Sequence, residues 1–453
     1  MVEKRWVKQL MIFLPIFLLN AWFRIMLNRP LTEAISTPDS VTYRGSGPGP
    51  QTFPYAGTVP LDALSDISFA GNSIRPWPIN LIYSFLGSDF LIITFQTLFA
   101  AFAWSYFMLA LIPLISRGVL RIVFLILVFA FSLTEYVYSW EKFILSESLI
   151  NSVFILFSAR IISSRLRIDS NLNFLVNFFL FLFIFLSRPI FGIWLTFLLI
   201  LGNKSFKVLL PRATLILLSI AYVFIVNSNS SQKWQEYLGS SREGISFAYI
   251  RNFSVPSSTK YDNLILKLGA PECLVNLQGQ GNSPWEIARK YDSACPEGLI
   301  WLDKNFSKSY LLHLIEPSNF FERGLVETPN VLAGADYRSY FPFYQFVEIN
   351  QIKSMTCFFW RGSYTSFILK VLLSVSIFIA WFWKRKWINW SYLFFLLILS
   401  VGGSVSQGLL MPSEFGRVGY PGSILFNLAP WLILIFFSDN YFHKYKIKRF
   451  KLN

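Results

Sequence analysis

Histidine and cysteine are scarce in this chain, with two His and three Cys among 453 residues. With only His313 and His443, a histidine-based triad has almost nothing to draw on, and no Cys/His cluster has metal-ligand spacing. A zinc site is therefore not expected. Also missing are a phosphate-cradling P-loop, a dinucleotide fingerprint and a Gly-x-Ser-x-Gly elbow, which sets aside ATP-driven, hydride and serine-esterase chemistry. Charge is sparse too: 14% of the chain is Asp, Glu, Lys or Arg, against 54% hydrophobic residues. That balance excludes a single soluble core, a disulfide-rich miniprotein, a coiled coil and a disordered tail. No internal repeat or low-complexity tract is visible.

What the chain has instead is long charge-free runs, among them Phe90 to Ser116 and Trp387 to Ser413, each 27 residues. Runs of this length read as bilayer-spanning helices. Taken in order they predict an all-α polytopic membrane protein with about ten transmembrane helices, near 10–27, 89–115, 121–138, 146–163, 172–187, 189–202, 208–226, 365–383, 387–405 and 419–437. The first run is not read as a cleaved signal, because Arg24 follows it and no small-x-small site is evident. The stretch 172–202 is read as a hairpin with Ser187-Arg188-Pro189 at its outer end, since a single kinked helix would turn Lys384, Arg385 and Lys386 outward.

The net charge is +15. With a cytoplasmic N-terminus, the six inward segments 1–9, 116–121, 160–171, 203–212, 384–386 and 438–453 hold 19 Lys/Arg against three acids, Glu3, Asp169 and Asp439. The basic excess is thus the mark of insertion topology, with both termini cytoplasmic, and nucleic acid is not an expected partner. The chain divides into an N-terminal transmembrane module, 1–226, with a first outer loop at 28–88; an extracytoplasmic insertion, 227–364, between helices seven and eight; and C-terminal helices with a basic tail, 365–453. Within the first loop, residues 79–86 suit an interfacial helix on the outer leaflet. The insertion is long enough to fold by itself. It holds Cys273 and Cys295, which an oxidising compartment would allow to pair and a reducing one would leave as thiols.

Charges meet the outer membrane face at Asp39, Arg75, Glu141, Glu147, Arg188, Glu414 and Arg417. Charges beside hydrocarbon are costly unless paired or wet, so their accumulation points to a polar cavity. Each also has a plainer reading. Arg188 can snorkel, Glu147 can favour a helix N-terminus, Arg417 can pair with Glu414 and Asp39 can cap a turn. Arg24, Glu135 and Lys370 lie toward helix ends, where snorkelling suffices.

Asp39-Ser-Val-Thr-Tyr43, Arg75-Pro76-Trp77-Pro78, Glu147-Ser148-Leu149, Arg188-Pro189 and Arg417-Val-Gly-Tyr-Pro421 together resemble motifs of the GT-C superfamily of integral-membrane glycosyltransferases. That superfamily includes protein O-mannosyltransferases and aminoarabinose transferases, which use polyprenyl-phosphate sugars. The resemblance covers most of the chain. It departs where many members carry a soluble domain after the last helix, whereas here the largest outer segment lies between helices seven and eight.

The resemblance implies a GT-C-like fold and transfer of a sugar from a polyprenyl-phosphate donor to a hydroxyl on a glycan, lipid or protein acceptor, at the outer face of a membrane. A bacterial inner membrane is the expected location. Asp39 is then the base that takes the acceptor proton, with Asp62 or Asp66 as second choices and Tyr43 beside it. Arg75, Arg188 and Arg417 would hold the phosphate and Glu147 an arginine or the sugar; attack opposite the phosphate inverts the anomeric centre. Divalent-cation dependence stays open. Two other classes fit a polytopic chain: an O-antigen polymerase or ligase using lipid-diphosphate oligosaccharides, and a transporter or lipid flippase, for which inverted repeats or midplane charges are expected.

Overall fold

The computed structural model describes residues 2–35, 77–164, 171–201, 206–238, 258–276, 293–315, 396–406 and 420–450, with isolated positions between 244 and 375. Among the described residues the helices are, in chain order, α1 Val2–Leu27, α2 Trp77–Leu86, α3 Asp89–Leu111, α4 Gly118–Ser132, α5 Glu135–Tyr138, α6 Ser146–Ser164, α7 Asn171–Ser187, α8 Pro189–Leu201, α9 Phe206–Leu238, α10 Ser258–Lys267, α11 Glu272–Asn276, α12 Pro296–Ile315, α13 Leu396–Ser406 and α14 Tyr420–Phe450. Short 3-10 turns follow α3 at Ile112–Leu114 and α5 at Ser139–Lys142. Among the described residues the only β-type pairing is an isolated parallel bridge, Ile35 to Phe143.

The bundle is built around α6. Of its apolar window, 83% is buried, whereas 22% is buried in α1 and 28% in α9. Helix α6 packs chiefly against α3 and α7, and α1 lies on the far side of α3, where Phe13 and Phe17 meet Phe102 edge-on. Large apolar side chains stay exposed on the outer helices, including Leu14 and Leu18 on α1, Phe179 on α7 and Leu217, Leu218 and Phe224 on α9. An apolar exterior wrapped around a helical interior is what a bilayer demands, because every backbone group is satisfied inside its own helix. The protein is a membrane-associated helical bundle.

Among the described residues, four helices are long and apolar enough to cross a membrane: Leu10–Leu27, Asp89–Leu114, Ser146–Ser163 and Leu210–Ser228. A fifth arises if Gly118–Ser132 and Glu135–Lys142 count as one bent span. Helices α7, α8, α13 and the apolar part of α14 are shorter. Most of the expected span at 365–383 lies outside the described residues.

The continuous helix expected over 121–138 is instead broken, with a bend of 55° between its two parts. Leu133 and Thr134 interrupt the ladder, Thr134 being extended. The Ser132 carbonyl points instead to the Arg24 guanidinium, at 2.5 Å. Hydropathy cannot register this, because the bend answers a cation contributed by α1.

Between α7 and α8 the chain doubles back at Arg188-Pro189, as the charge pattern predicts. Pro189 supplies no N–H and starts a new helix. The reversal is tight: a Cβ on Gly192 would lie 2.7 Å from the Phe185 Cα and 2.8 Å from its Cβ, so only glycine fits there. A second close approach joins α13 to α14, where the Gly422 N–H donates to Ser404 Oγ at 2.9 Å. Asp439, far along α14, accepts from Ser116 N at 2.8 Å and Arg117 N at 3.0 Å, tying that helix to the start of α4.

The described residues between 244 and 315 include a small core of their own. Phe247, Tyr261, Ile265, Leu274, Cys295 and Leu302 are buried together, and Cys273 is bonded to Cys295 with Cα atoms 5.7 Å apart. His313 is buried edge-on against Tyr261, with ring centroids 5.0 Å apart, and the Tyr261 and Ser309 hydroxyls are 3.2 Å apart. Burial raises the Tyr261 hydroxyl well above an ordinary phenol, so it stays protonated at neutral pH.

Candidate functional site

The site grows from a short stretch, residues 142–147, that leads into α6. Ile35, early in the 28–88 loop, donates its N–H to the Lys142 carbonyl at 2.9 Å. Lys142 Nζ donates in turn to the Arg29 carbonyl at 3.2 Å. From the other end of the same loop, Tyr83 on α2 donates its hydroxyl to the Leu145 carbonyl at 2.6 Å. Tyr83 is fully buried. Gln96 of α3 donates to the Phe143 carbonyl at 3.2 Å. The loop's start, its terminal helix and α3 are therefore all pinned to four consecutive residues next to Glu147.

Glu147 is the second residue of α6, where a carboxylate gains from the helix dipole, but its partner is specific. Arg188 Nη2 lies 2.7 Å from Glu147 Oε1, with side-chain exposures of 13% and 2%. Ser146 Oγ donates to the other Glu147 oxygen at 3.3 Å, and Arg188 Nη2 is 3.5 Å from Ser146 Oγ. The arginine is held at the hairpin joint by its own backbone: its N–H reaches the Ile184 carbonyl at 2.7 Å, and its carbonyl accepts from Gly192 at 2.9 Å. One side of the guanidinium fork is thereby committed, while Arg188 Nε is buried with no hydrogen-bond partner among the described residues. A partly committed guanidinium at the mouth of a helical bundle is suited to binding an anion.

Comparison with protein-family models, curated proteins and solved structures finds no match to this chain. Its chemistry must be argued from its own residues. Two of the predicted site residues, Glu147 and Arg188, are brought into direct contact although 41 positions separate them. Asp39, Tyr43, Asp62, Asp66, Arg75 and Arg417 lie outside the described residues, as does Glu414. Cys273, Cys295 and Glu297 bring candidate ligand atoms within 4.8 Å of one another, but the two sulfurs are bonded to each other and offer no thiolate to a metal.

Two polar centres were not foreseen. Arg24 is fully buried, not snorkelling: its guanidinium pairs with Glu141, and its Nε donates to Asn20 Oδ1 at 2.8 Å. Asn28 Nδ2 donates to the other Glu141 oxygen at 2.9 Å. Glu141, read from sequence as an outer-face charge, is 2% exposed. The available signal was spacing: Asn20, Arg24 and Asn28 recur every four residues, a polar stripe along α1 that continues into the residue just past its end.

The second centre surrounds Lys370, likewise buried rather than snorkelling, whose Nζ donates to Asn427 Oδ1. Asn427 Nδ2 reaches the Leu332 carbonyl and Tyr136 Oη, each at 3.3 Å, and Tyr136 Oη is hydrogen-bonded to Ser423. Through Leu332 the segment 227–364 thus touches α14. Nothing in the local sequence around Lys370 announces this node.

Proposed function

We propose that this protein is a membrane glycosyltransferase of GT-C-like, roughly ten-span architecture. It transfers a sugar from a polyprenyl-phosphate donor to an acceptor hydroxyl at the extracytoplasmic face, with inversion. The observation that carries this reading is the convergence at residues 142–147: both ends of the first outer loop are fastened beside the Glu147–Arg188 pair. Four residues separate Ile35 from Asp39, a tether of at most about 14 Å. The short tether from Ile35 supports the proposal that the loop carboxylate works together with Arg188.

The contacts at the bundle ends also agree with the proposed sidedness. Segments assigned outside touch one another, as in Ile35 with Lys142, Tyr83 with Leu145 and Glu147 with Arg188. Segments assigned inside do likewise: Asp439 meets Ser116 and Arg117, and Arg212 stacks on Phe174 at 4.6 Å. The Cys273–Cys295 bond in the outer insertion supports an oxidising compartment on that side.

In the proposed reaction, Asp39 removes the acceptor proton as the acceptor oxygen attacks the anomeric carbon. The bond from that carbon to the phosphate oxygen breaks, and the electron pair leaves with polyprenyl phosphate. A phosphate is already a good leaving group, so no acid is needed on that side. Arg188 compensates the charge gathering on the leaving oxygens, and Glu147 keeps the guanidinium at a fixed angle. Arg75 and Arg417 are the additional phosphate ligands in this proposal. The acceptor class, whether glycan, lipid or protein, and the metal requirement are to be determined by assay.

The test is a donor panel. Purified protein in vesicles is given radiolabelled sugars on polyprenyl monophosphate and, separately, on polyprenyl diphosphate. Consumption of a monophosphate donor is the expected result; consumption restricted to diphosphate donors would replace the proposal with a polymerase or ligase.

A further inference from the structure

One helical turn past Glu147 stands Asn151, and three residues further stands Phe154. The spacing i, i+4, i+7 puts all three on one face of α6. Both flanking residues point to the same place: Glu147 bonds Arg188, and Phe154 stacks edge-on against Phe191, centroids 5.1 Å apart. Asn151 therefore faces the turn between α7 and α8. It is 8% exposed. Among the described residues, neither its Nδ2 nor its Oδ1 has a hydrogen-bond partner.

This matters because buried amides are almost always satisfied, and one left bare at both ends needs a reason. Other unpartnered polar atoms stand close in sequence and on the same elements: Ser148 Oγ on α6, Ser187 Oγ at the end of α7 and Arg188 Nε. Mere packing would favour leucine, which has nearly the same shape and no desolvation cost. The unmet groups form a complementary set. Arg188 Nε can only donate and suits a phosphoryl oxygen, whereas the Asn151 amide both donates and accepts, as a sugar hydroxyl requires.

We infer that Asn151, together with Ser148, forms a hydroxyl-reading subsite for the sugar of a lipid-phosphate donor whose phosphate sits on Arg188. Asn151 is thus a specificity residue within the proposed glycosyltransferase centre, on which this inference rests. A site with polar groups made to bond a hydroxyl discriminates strongly, because a substrate lacking that hydroxyl leaves them bare.

The test uses the full-length protein in detergent and follows its melting temperature with two probes: farnesyl phosphate alone, and farnesyl phosphate carrying a hexose or a pentose. Wild type is expected to be stabilised by the bare lipid phosphate and further by at least one sugar-bearing form. In Asn151→Leu the ligand-free melting temperature is expected to stay level or rise, the response to the bare lipid phosphate to persist, and the sugar-dependent increment to vanish. Affinity for the sugar-bearing probe should fall about 10- to 100-fold.

Asn151→Ala, which adds no bulk, should show the same selective loss. A sugar increment that survives in both variants, or a wild type stabilised equally by both probes, overturns the subsite while leaving the lipid-phosphate reading intact. A wild type stabilised by neither probe overturns both.

Discussion

Replacing Glu141 by Gln would remove the negative partner of a fully buried cation. Arg24 and Glu141 pair at exposures of 0% and 2%, and Arg24 is further held by Asn20 and the Ser132 carbonyl. Breaking such a pair from one side leaves an uncompensated charge in a low-dielectric interior, at a cost of about 3–5 kcal/mol. Glu141→Gln keeps the hydrogen bond from Asn28, so its loss is chiefly electrostatic and belongs at the lower end of that range.

Arg24→Met strands the carboxylate and should cost a similar amount. The double variant leaves no charge behind and should cost clearly less than the two single losses added together, a coupling of about 2 kcal/mol within the span seen for contacting residues. The assay is unfolding in mixed detergent and SDS micelles, followed by tryptophan fluorescence. Additive single effects would refute the claim that this pair fastens the segment after α5 to α1.

Arg188→Gln is expected to lower donor turnover by about 10²-fold, as for loss of one preorganised donor to a developing anion. Arg188→Lys should recover little of it, because an ammonium cannot grip both Glu147 and a phosphate in fork geometry. Kinetics with a monophosphate donor, run on protein with wild-type melting behaviour, checks this. Reducing or removing the Cys273–Cys295 bond, which closes a sequence separation of 22 residues, should destabilise the insertion by about 3 kcal/mol. Limited proteolysis between residues 258 and 315 should then accelerate while the membrane helices stay protected. Gly192→Ala should part the α7–α8 hairpin, because its Cβ would press against the Phe185 backbone; a loss of about 1–3 kcal/mol in the same SDS titration is expected.

Helix positions were legible wherever charge brackets an apolar run. The expected 146–163, 172–187 and 189–202 reappear as Ser146–Ser164, Asn171–Ser187 and Pro189–Leu201. The hairpin at Arg188 was legible for a different reason, since only a reversal there keeps the basic loops on one side. The break at Leu133 and Thr134 was not, because its cause sits 108 residues away in Arg24. The same distance problem hid the Lys370 node, whose partners Asn427 and Tyr136 come from two other parts of the chain. A charge near a helix end is indistinguishable in sequence from one that snorkels. Burial, which separates the two, is a property of the packed bundle. Glu147 and Arg188 were each singled out from sequence, but their contact, and Asn151 beside them, emerge only once α6 and the α7–α8 turn are packed together.

The most direct test of the central claim compares wild type with Asp39→Asn, both reconstituted in vesicles with folding verified, for release of labelled sugar from a polyprenyl-monophosphate donor. The account predicts turnover by wild type and its loss in the variant, with retention of donor binding at Arg188. Equal turnover by both proteins would contradict the assignment of the base and move it to Asp62 or Asp66. Absence of turnover by wild type across the monophosphate panel would contradict the glycosyltransferase reading itself.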